Sequence, residues 1–357
     1  MSKKNVSSIR ILGSGLIGTS IGLALAGRGT SVEMVDSDLK ASELAQSLVN
    51  SKPSSSPEVV LFALPTSALS AVLNIEYELN PKARFIDIGS VKTKPLLEVS
   101  KSKIPSNRFL ATHPMAGREV GGAESARADL FEARTWVYSK KDLLGHEVDP
   151  EVLQAGLWII ESLGATAVSM DPKDHDAAVA LVSHLPQLIS SLLAAQLNEA
   201  NEQTLSLAGP GLIDTTRIAA SDADLWSEIA AMNGSEILPL LEKFSANLSD
   251  LMNSLRSELS IKRFIADGNT GRARIPGKHG AKARDYSQLP VVIVDKPGQL
   301  ASLFEECSKA NVNIEDLSIE HSPGQFTGLI TLALSASDAQ KLESHLKGAG
   351  WNVHAPR

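Results

Sequence analysis

The sequence predicts an α/β chain: a doubly wound, mostly parallel sheet, then an all-helical segment, then a small β-α-β-β-α-β unit. Three observations predict it. Short apolar runs alternate with helical stretches up to Met170. From Asp171 to about Asp267 the pattern turns almost wholly helical. Strand-like runs then return from Leu289 to Val353. Periodicity of this kind is the main local signal of secondary structure.

The first strands are expected at Ile9–Gly15, Ser31–Asp36, Glu58–Pro65, Arg84–Ser90 and Arg108–His113. Each is rich in Val, Ile, Leu or Phe and bounded by Gly, Pro, Ser or Asp. Unbroken apolar runs suit parallel strands covered on both faces. Helical segments between several of them imply right-handed crossovers. "TWVYS" and "ATAVSM" add two more strands and close a first domain at 1–170.

In the helical segment, 171–267, Asp171 reads as an N-cap with Pro172 at the first helical position. Ser221 with Asp224 reads as a carboxylate capping box. Ser235 to Ala266 reads as a long helical stretch. The run "AAVALVSHLPQLISSLLAAQL" is apolar nearly all round, which demands burial. A two-chain interface would supply it, so a homodimer is expected. Residues 268–286, rich in Gly and basic side chains, read as a linker. In 287–357 the order β-α-β-β-α-β matches a ferredoxin-like unit.

The chain has 357 residues, enough for two or three domains. Its net charge of −7 gives no electrostatic reason to bind nucleic acid or an acidic membrane. The single cysteine, Cys307, rules out an internal disulfide and a thiolate metal cluster within one chain; no metal site is expected. No unbroken run of about 18 apolar residues is present, so no membrane-spanning helix is expected. The basic start is followed by five glycines between Gly13 and Gly27, which does not suit a signal peptide. The expected location is cytoplasmic.

"GSGLIG" places Gly13, Gly15 and Gly18 in the spacing of a dinucleotide turn. It follows an expected strand and opens an expected helix. Asp36 ends the second strand, where a carboxylate would hold ribose hydroxyls and repel a 2′-phosphate. NAD is therefore expected over NADP on a Rossmann-type fold. Leu16 and Ile17 within the turn, and Leu64-Pro65 ending the third strand, complete the expected cofactor set.

Ligands of open α/β sheets bind beyond the carboxyl ends of the strands. Ser90 and His113 both stand at such ends. Taking a hydroxyl proton during hydride transfer needs a base, and imidazole titrates near the working pH. Ser90 could orient that ring. In the helical part, His184 and Gln187 share a face, and Pro186 should perturb the helix beside them. Arg217, in apolar company, asks for an anion such as a substrate carboxylate.

Taken in order, "GSGLIG", "IGSVK", "THPMAG", "DHD…SHLP" and "DTTRIAASDADLW" resemble the prephenate dehydrogenase family over about residues 8–265. The tail resembles an ACT domain. The resemblance implies NAD-dependent oxidative decarboxylation of prephenate, or of arogenate, on the way to tyrosine. It implies that His113 accepts the ring-hydroxyl proton, Ser90 positions His113 and the nicotinamide, and Arg217 binds a carboxylate. His184 and Trp226 would shape the pocket. His175 matches a family histidine, but nine residues from His184 it falls on the opposite side of a straight helix.

Two departures stand out: Gln187 replaces a usual histidine, and Ile213 a usual basic residue. With Glu119 they bear on an ammonium-bearing side chain, so arogenate stays open as a rival substrate. In the ACT-like tail, Asp295, Gly298, Gln299, Leu300, Asn313 and Ile314 would meet an amino-acid effector such as tyrosine; a ligand-free oligomerisation module is the alternative. The absence of "GxxGxGxxxK" weighs against a β-hydroxyacid dehydrogenase. Intact Ser90, His113 and Arg217 weigh against a non-catalytic amino-acid sensor.

Overall fold

The computed structural model describes residues 5–117, 120–255, 257–275, 286–321 and 327–357. The chain forms two compact units, Met1–Ala246 and Asn247–Arg357.

Seven strands build the sheet of the first unit: β1 (Ser8–Leu12), β2 (Ser31–Val35), β3 (Val59–Phe62), β4 (Arg84–Asp87), β5 (Phe109–Pro114), β6 (Thr135–Tyr138) and β7 (Thr166–Ser169). All overlap the expected runs, with β1 starting one residue early at Ser8 and β5 ending one residue late at Pro114. Their order is β2-β1-β3-β4-β5-β6-β7. β1 to β5 are parallel, as in a Rossmann-like sheet. β6 runs antiparallel to β5, and β7 parallel to β6. That reversal departs from the expected parallel winding. Among the described residues, the β5–β6 connection carries only a single 3₁₀ turn, Ala123–Ser125. No crossover helix carries the chain over the sheet, so it returns beside β5 in the opposite sense.

Helices α1 (Leu16–Ala26), α2 (Leu39–Val49), α3 (Thr66–Leu79), α4 (Thr93–Ser100) and α5 (Pro150–Ser162) cover both faces of this sheet. One core joins Ile21, Leu25, Val49, Val152 and Ile159 to Ile11 and Leu61. The other joins Leu69, Leu73, Leu96 and Val99 to Val60 and Phe62. Alternate residues of β3 thus serve opposite cores, which explains its unbroken apolar sequence. The chain leaves β1 toward β2 on one side and returns with β3 on the other. The crevice beyond those strand ends is where such sheets bind ligands.

The helical part follows as α6 (Pro172–Val179), a π-turn at Ala180–His184, α7 (Leu185–Ala195), α8 (Glu202–Leu205), α9 (Pro210–Thr216), α10 (Ala223–Met232), α11 (Gly234–Ser254) and α12 (Glu258–Ala273). The π-turn ends two residues before Pro186, which lacks an N–H and crowds the preceding turn. The run Pro172–Glu199 is long and apolar enough, by length and composition, to cross a membrane, contrary to the expectation that no such helix exists. Yet its buried stripe includes His175, Asp176, His184, Gln187 and Ser190, while Leu181, Val182, Leu192 and Leu193 face outward.

Three local expectations are corrected. The N-cap of α10 is Asp222, whose carboxylate accepts from Leu225 N; Ser221 instead donates to Ile218 O. The stretch from Ser235 is two helices, because Ser257 caps a new one. The expected linker begins late, since α12 runs to Ala273; residues 276–285 lie outside the described residues.

The second unit also holds β8 (Ser287–Val294), α13 (Gln299–Lys309), β9 (Asp316–His321), β10 (Thr327–Leu334), α14 (Ala336–Gly348) and β11 (Asn352–Val353). They form a four-stranded antiparallel sheet in the order β11-β8-β10-β9. Leu303 and Cys307 of α13 and Leu342 and Leu346 of α14 pack on Val291 and Ile330, so both helices cover one face. Burial pushes the Cys307 thiol up to about 11, which leaves it an inert core residue.

Candidate active site

The glycine turn is shaped by close approach. Gly13 has φ +106°, and a Cβ there would lie 2.1 Å from Ala63 O. A Cβ on Gly18 would lie 2.0 Å from Gly13 O, so α1 packs tightly on the turn. Gly15 is different: nothing lies within 4 Å of its Cβ position. Open space at the start of a helix, beside bare backbone, fits a pyrophosphate. Asp36 Oδ2 accepts from Ser14 N at 2.7 Å and Oδ1 from Asp38 N at 3.0 Å, which locks the carboxylate beside the turn. The residues present fit NAD: Gly13, Gly15 and Gly18 for the pyrophosphate, Asp36 for the ribose.

A cavity of 590 Å³ opens from this turn. Gly15, Leu16, Ile17, Gly18, Leu64, Pro65, Ser90 and Trp226 line it; Gly13, Asp36, His113, His184, Gln187 and Arg217 do not. Helix α10 supplies one wall through Leu225, Trp226, Ile229 and Met232. Glu228 of the same helix accepts from Ser67 N at 2.9 Å, fastening α10 to the start of α3.

At the carboxyl end of β5, His113 meets a histidine for which the sequence suggested no role. His113 Nδ1 lies 2.9 Å from His175 Nε2, and His175 Nδ1 lies 2.8 Å from Asp176 Oδ1. The His113 and His175 rings meet edge-on, with centroids 5.1 Å apart. Asp176 also accepts from the backbone N–H of Lys92 and of Thr93, each at 2.8 Å. Lys92 is itself buried, and its ammonium is paired with Asp87 and bonded to Thr112 O. Buried charges persist only when so paired.

This environment sets the protonation states. Burial pushes His113 well below the ordinary histidine range, and the nearby His175, Lys92 and His184 push the same way against Asp176. Burial also lowers His175, although Asp176 opposes it. His184 falls to about 4, chiefly from burial. Burial alone would raise Asp176, but hydrogen bonds from His175, Thr93 and Lys92 carry it below its usual value. The cluster therefore holds neutral imidazoles beside an ionised carboxylate at neutral pH.

The other expected residues are scattered. The ring partner of His113 Nδ1 is His175, where β5 meets α6, while Ser90 sits in the cavity wall. His184 Nδ1 lies 3.1 Å from Asn233 Nδ2, and its ring meets Trp226 edge-on at 6.0 Å. Gln187 is buried, and its Oε1 lies 3.4 Å from Ser221 Oγ, whose proton goes to Ile218 O. Arg217 opens the turn Arg217–Ala219 with an exposed side chain. Glu119 lies outside the described residues. In the second unit Asp295 and Gly298 are exposed in the turn before α13, and Gln299 opens that helix, followed by Leu300. Asn313 and Ile314 lie in the loop before β9, which starts at Asp316.

Sequence reasoning passed over Lys92, Asp176 and Asn233 as well. One signal was present: Asp87 interrupts the apolar run "FIDIG", and a carboxylate in a buried strand demands a cation nearby.

Two family models match the chain: the prephenate dehydrogenase nucleotide-binding domain over residues 21–165 and the prephenate dehydrogenase dimerization domain over 171–264. A probable prephenate dehydrogenase, NovF, of Streptomyces niveus is 28% identical over 97% of this chain and 99% of its own. The solved arogenate dehydrogenase of Synechocystis is 26% identical, covering 74% of this chain and 98% of its own, with a TM-score of 0.62. The prephenate dehydrogenase of A. aeolicus, solved with hydroxyphenyl propionate and NAD+, is 23% identical, covering 77% of this chain and 100% of its own, with a TM-score of 0.67; it supports the fold.

Proposed function

Because the chain belongs to the prephenate dehydrogenase family, we propose that it catalyses NAD-dependent oxidative decarboxylation of prephenate to 4-hydroxyphenylpyruvate. One observation carries this reading. The cavity runs from the glycine turn to Ser90 and Trp226, with a neutral, buried-side-supported histidine at the adjacent end of β5. NAD, when bound, takes up hydride from the ring carbon that bears the hydroxyl. His113 accepts the hydroxyl proton. The ring carboxylate leaves as carbon dioxide, its C–C bonding pair makes the ring aromatic, and the phenolate oxygen so formed takes the proton back, which returns His113 to its neutral form. Aromatisation is strongly favourable, so the protein's task is orientation and proton removal. Ser90 orients the nicotinamide side of the cavity, Trp226 and His184 shape the ring site, and Arg217 recruits a carboxylate.

A second reading, arogenate as substrate, is favoured by one observation. Gln187 stands buried beside Ser221 of the cavity wall, and its amide oxygen can accept from an ammonium. Purified protein with NAD and either compound separates the readings. We expect reduced-nicotinamide absorbance to rise faster with prephenate. Faster turnover of arogenate reverses the substrate assignment, and no rise with either sinks the dehydrogenase reading.

The outward apolar face of Pro172–Glu199 is best covered by a second copy of the chain, giving a homodimer. We read the domains as a nucleotide-binding part at 1–170, a helical part after it, and a C-terminal unit at 287–357. The strand order of that unit is what a ferredoxin-like ACT domain would have. In it Asp295, Gly298, Gln299 and Leu300 face an amino-acid effector together with Asn313 and Ile314, tyrosine being the product-like candidate. Calorimetry with tyrosine, phenylalanine and tryptophan tests this: heat from tyrosine supports it, and none from any of the three removes it.

A further inference from the structure

We propose that His175 is a positioning residue that fixes the tautomer of His113, so that Nε2 of His113 is the nitrogen that takes the proton. The proposal rests on the reading above that His113 is the base.

Four hydrogen bonds fix where the protons sit. Asp176 is held by two backbone amides, Lys92 N and Thr93 N, at 2.8 Å each. An ionised carboxylate only accepts. His175 Nδ1, 2.8 Å from Asp176 Oδ1, must therefore carry the proton. A neutral imidazole has one N–H, so His175 Nε2 is left with a bare lone pair. That lone pair lies 2.9 Å from His113 Nδ1, which must then be the donor. The second ring is neutral too, so His113 Nε2 is bare.

A free neutral histidine favours the opposite tautomer, with the proton on Nε2. Such a ring could donate to a substrate hydroxyl but not accept from it. Which nitrogen is protonated is set by the bond that the other one makes. His175 thus converts a ring with the wrong preference into a ready acceptor. When His113 gains the proton on Nε2, its Nδ1–H stays bonded to His175, and the Asp176 carboxylate lies beyond to offset the new charge. Three segments supply the parts: β5 the base, α6 the pair His175-Asp176, and the start of α4 the amides. The charged and titratable groups around the ring pair are Asp87 from β4, Lys92 before α4, Asp176 from α6 and His184 from the π-turn.

The test reads the tautomer directly. Protein labelled with ¹⁵N-histidine is compared by ring-nitrogen NMR as wild type, His175→Gln and His175→Phe, without substrate or cofactor. A Gln oxygen can stand where His175 Nε2 stands; a Phe ring cannot accept. We expect His113 to carry its proton on Nδ1 in the wild type and in His175→Gln, and on Nε2 in His175→Phe. In parallel, kcat should fall about a hundredfold in His175→Phe and mostly recover in His175→Gln, with KM for both substrates little changed. The acid limb of the kcat profile should also shift in His175→Phe. A wild-type proton on Nε2, or a His175→Phe enzyme with normal kcat, overturns the proposal. If His175→Phe does not fold, the wild-type and His175→Gln spectra still decide. An enzyme inactive on both substrates but with the Nδ1 proton in place would sink the function and leave the tautomer standing.

Discussion

The Rossmann-like sheet and the run Pro172–Glu199 obey opposite rules. In the sheet, apolar strands are sealed between helices, and polar groups mostly gather at the strand ends. In the helical run the polar residues His175, Asp176, His184 and Gln187 turn inward, and Leu181, Val182, Leu192 and Leu193 turn out. The sheet buries its apolar surface within one chain. The run cannot, because its inward face carries these polar groups. A helix inverted in this way leaves an apolar face in need of cover, the kind of surface that obligate-dimer interfaces bury as a divided core.

The sharpest way to break this contrast is to charge the outward face. Val182→Glu with Leu192→Glu places four charges in the proposed symmetric interface, costing about 5 kcal/mol of association or more. Light scattering should then report a monomer, while NAD affinity, a property of the sheet, persists. A double variant that remains dimeric would show that this face is not the interface.

Chemistry at the seam gives the next effect. His113→Asn keeps the strand but loses the base, and kcat should fall about 10³-fold, near the middle of the range for general bases. KM should change little. Near-normal turnover would remove His113 from the mechanism.

Acid should then separate the two regions. His184 has its pKa lowered from the ordinary 6.5 to about 4. The unfolded chain therefore binds this proton before the folded one does. Stability from keeping the ring neutral is complete above 6.5 and is lost as pH falls toward 4, by about 3 kcal/mol at most. His113 and His175 are lowered as well and act in the same direction. Denaturant midpoints from pH 7.5 to 4.5 should fall, and His184→Gln should flatten that slope. An unchanged slope would show that the His184 ring titrates alike in the folded and the unfolded chain.

These contrasts explain what could be read from the sequence. Sealed strands such as "VVLF" are visible because both faces demand apolar residues. The glycine turn is visible because only its spacing permits the contacts of Gly13 and Gly18. The sense of β6 was not, since strand direction depends on the path of a connection rather than on local pattern. His175 was hidden by geometry. Nine residues place it opposite His184 on a straight α-helix, but the π-turn at Ala180–His184 winds more slowly and brings both inward. Pro186 announced a disturbance without specifying its rotation. Asp36, by contrast, was readable because its neighbour Ser14 belongs to the turn itself.

The smallest effect tests the fastening of α10, the helix that walls the cavity. Its N-cap is Asp222, accepting from Leu225 N at 2.9 Å. Removing such a cap costs about 1 kcal/mol. Asp222→Ala should therefore lower the melting temperature by about 2–4 °C for a unit of this size. Ser221→Ala should cost less at the helix, because Ser221 bonds to Ile218 O rather than to the first turn. It should instead disturb substrate binding through Gln187. If Ser221→Ala proved the more destabilising, the cap would belong to Ser221 after all. The helical region would then be holding its cavity wall through the residue that also braces Gln187, which would join stability and specificity at one hydroxyl.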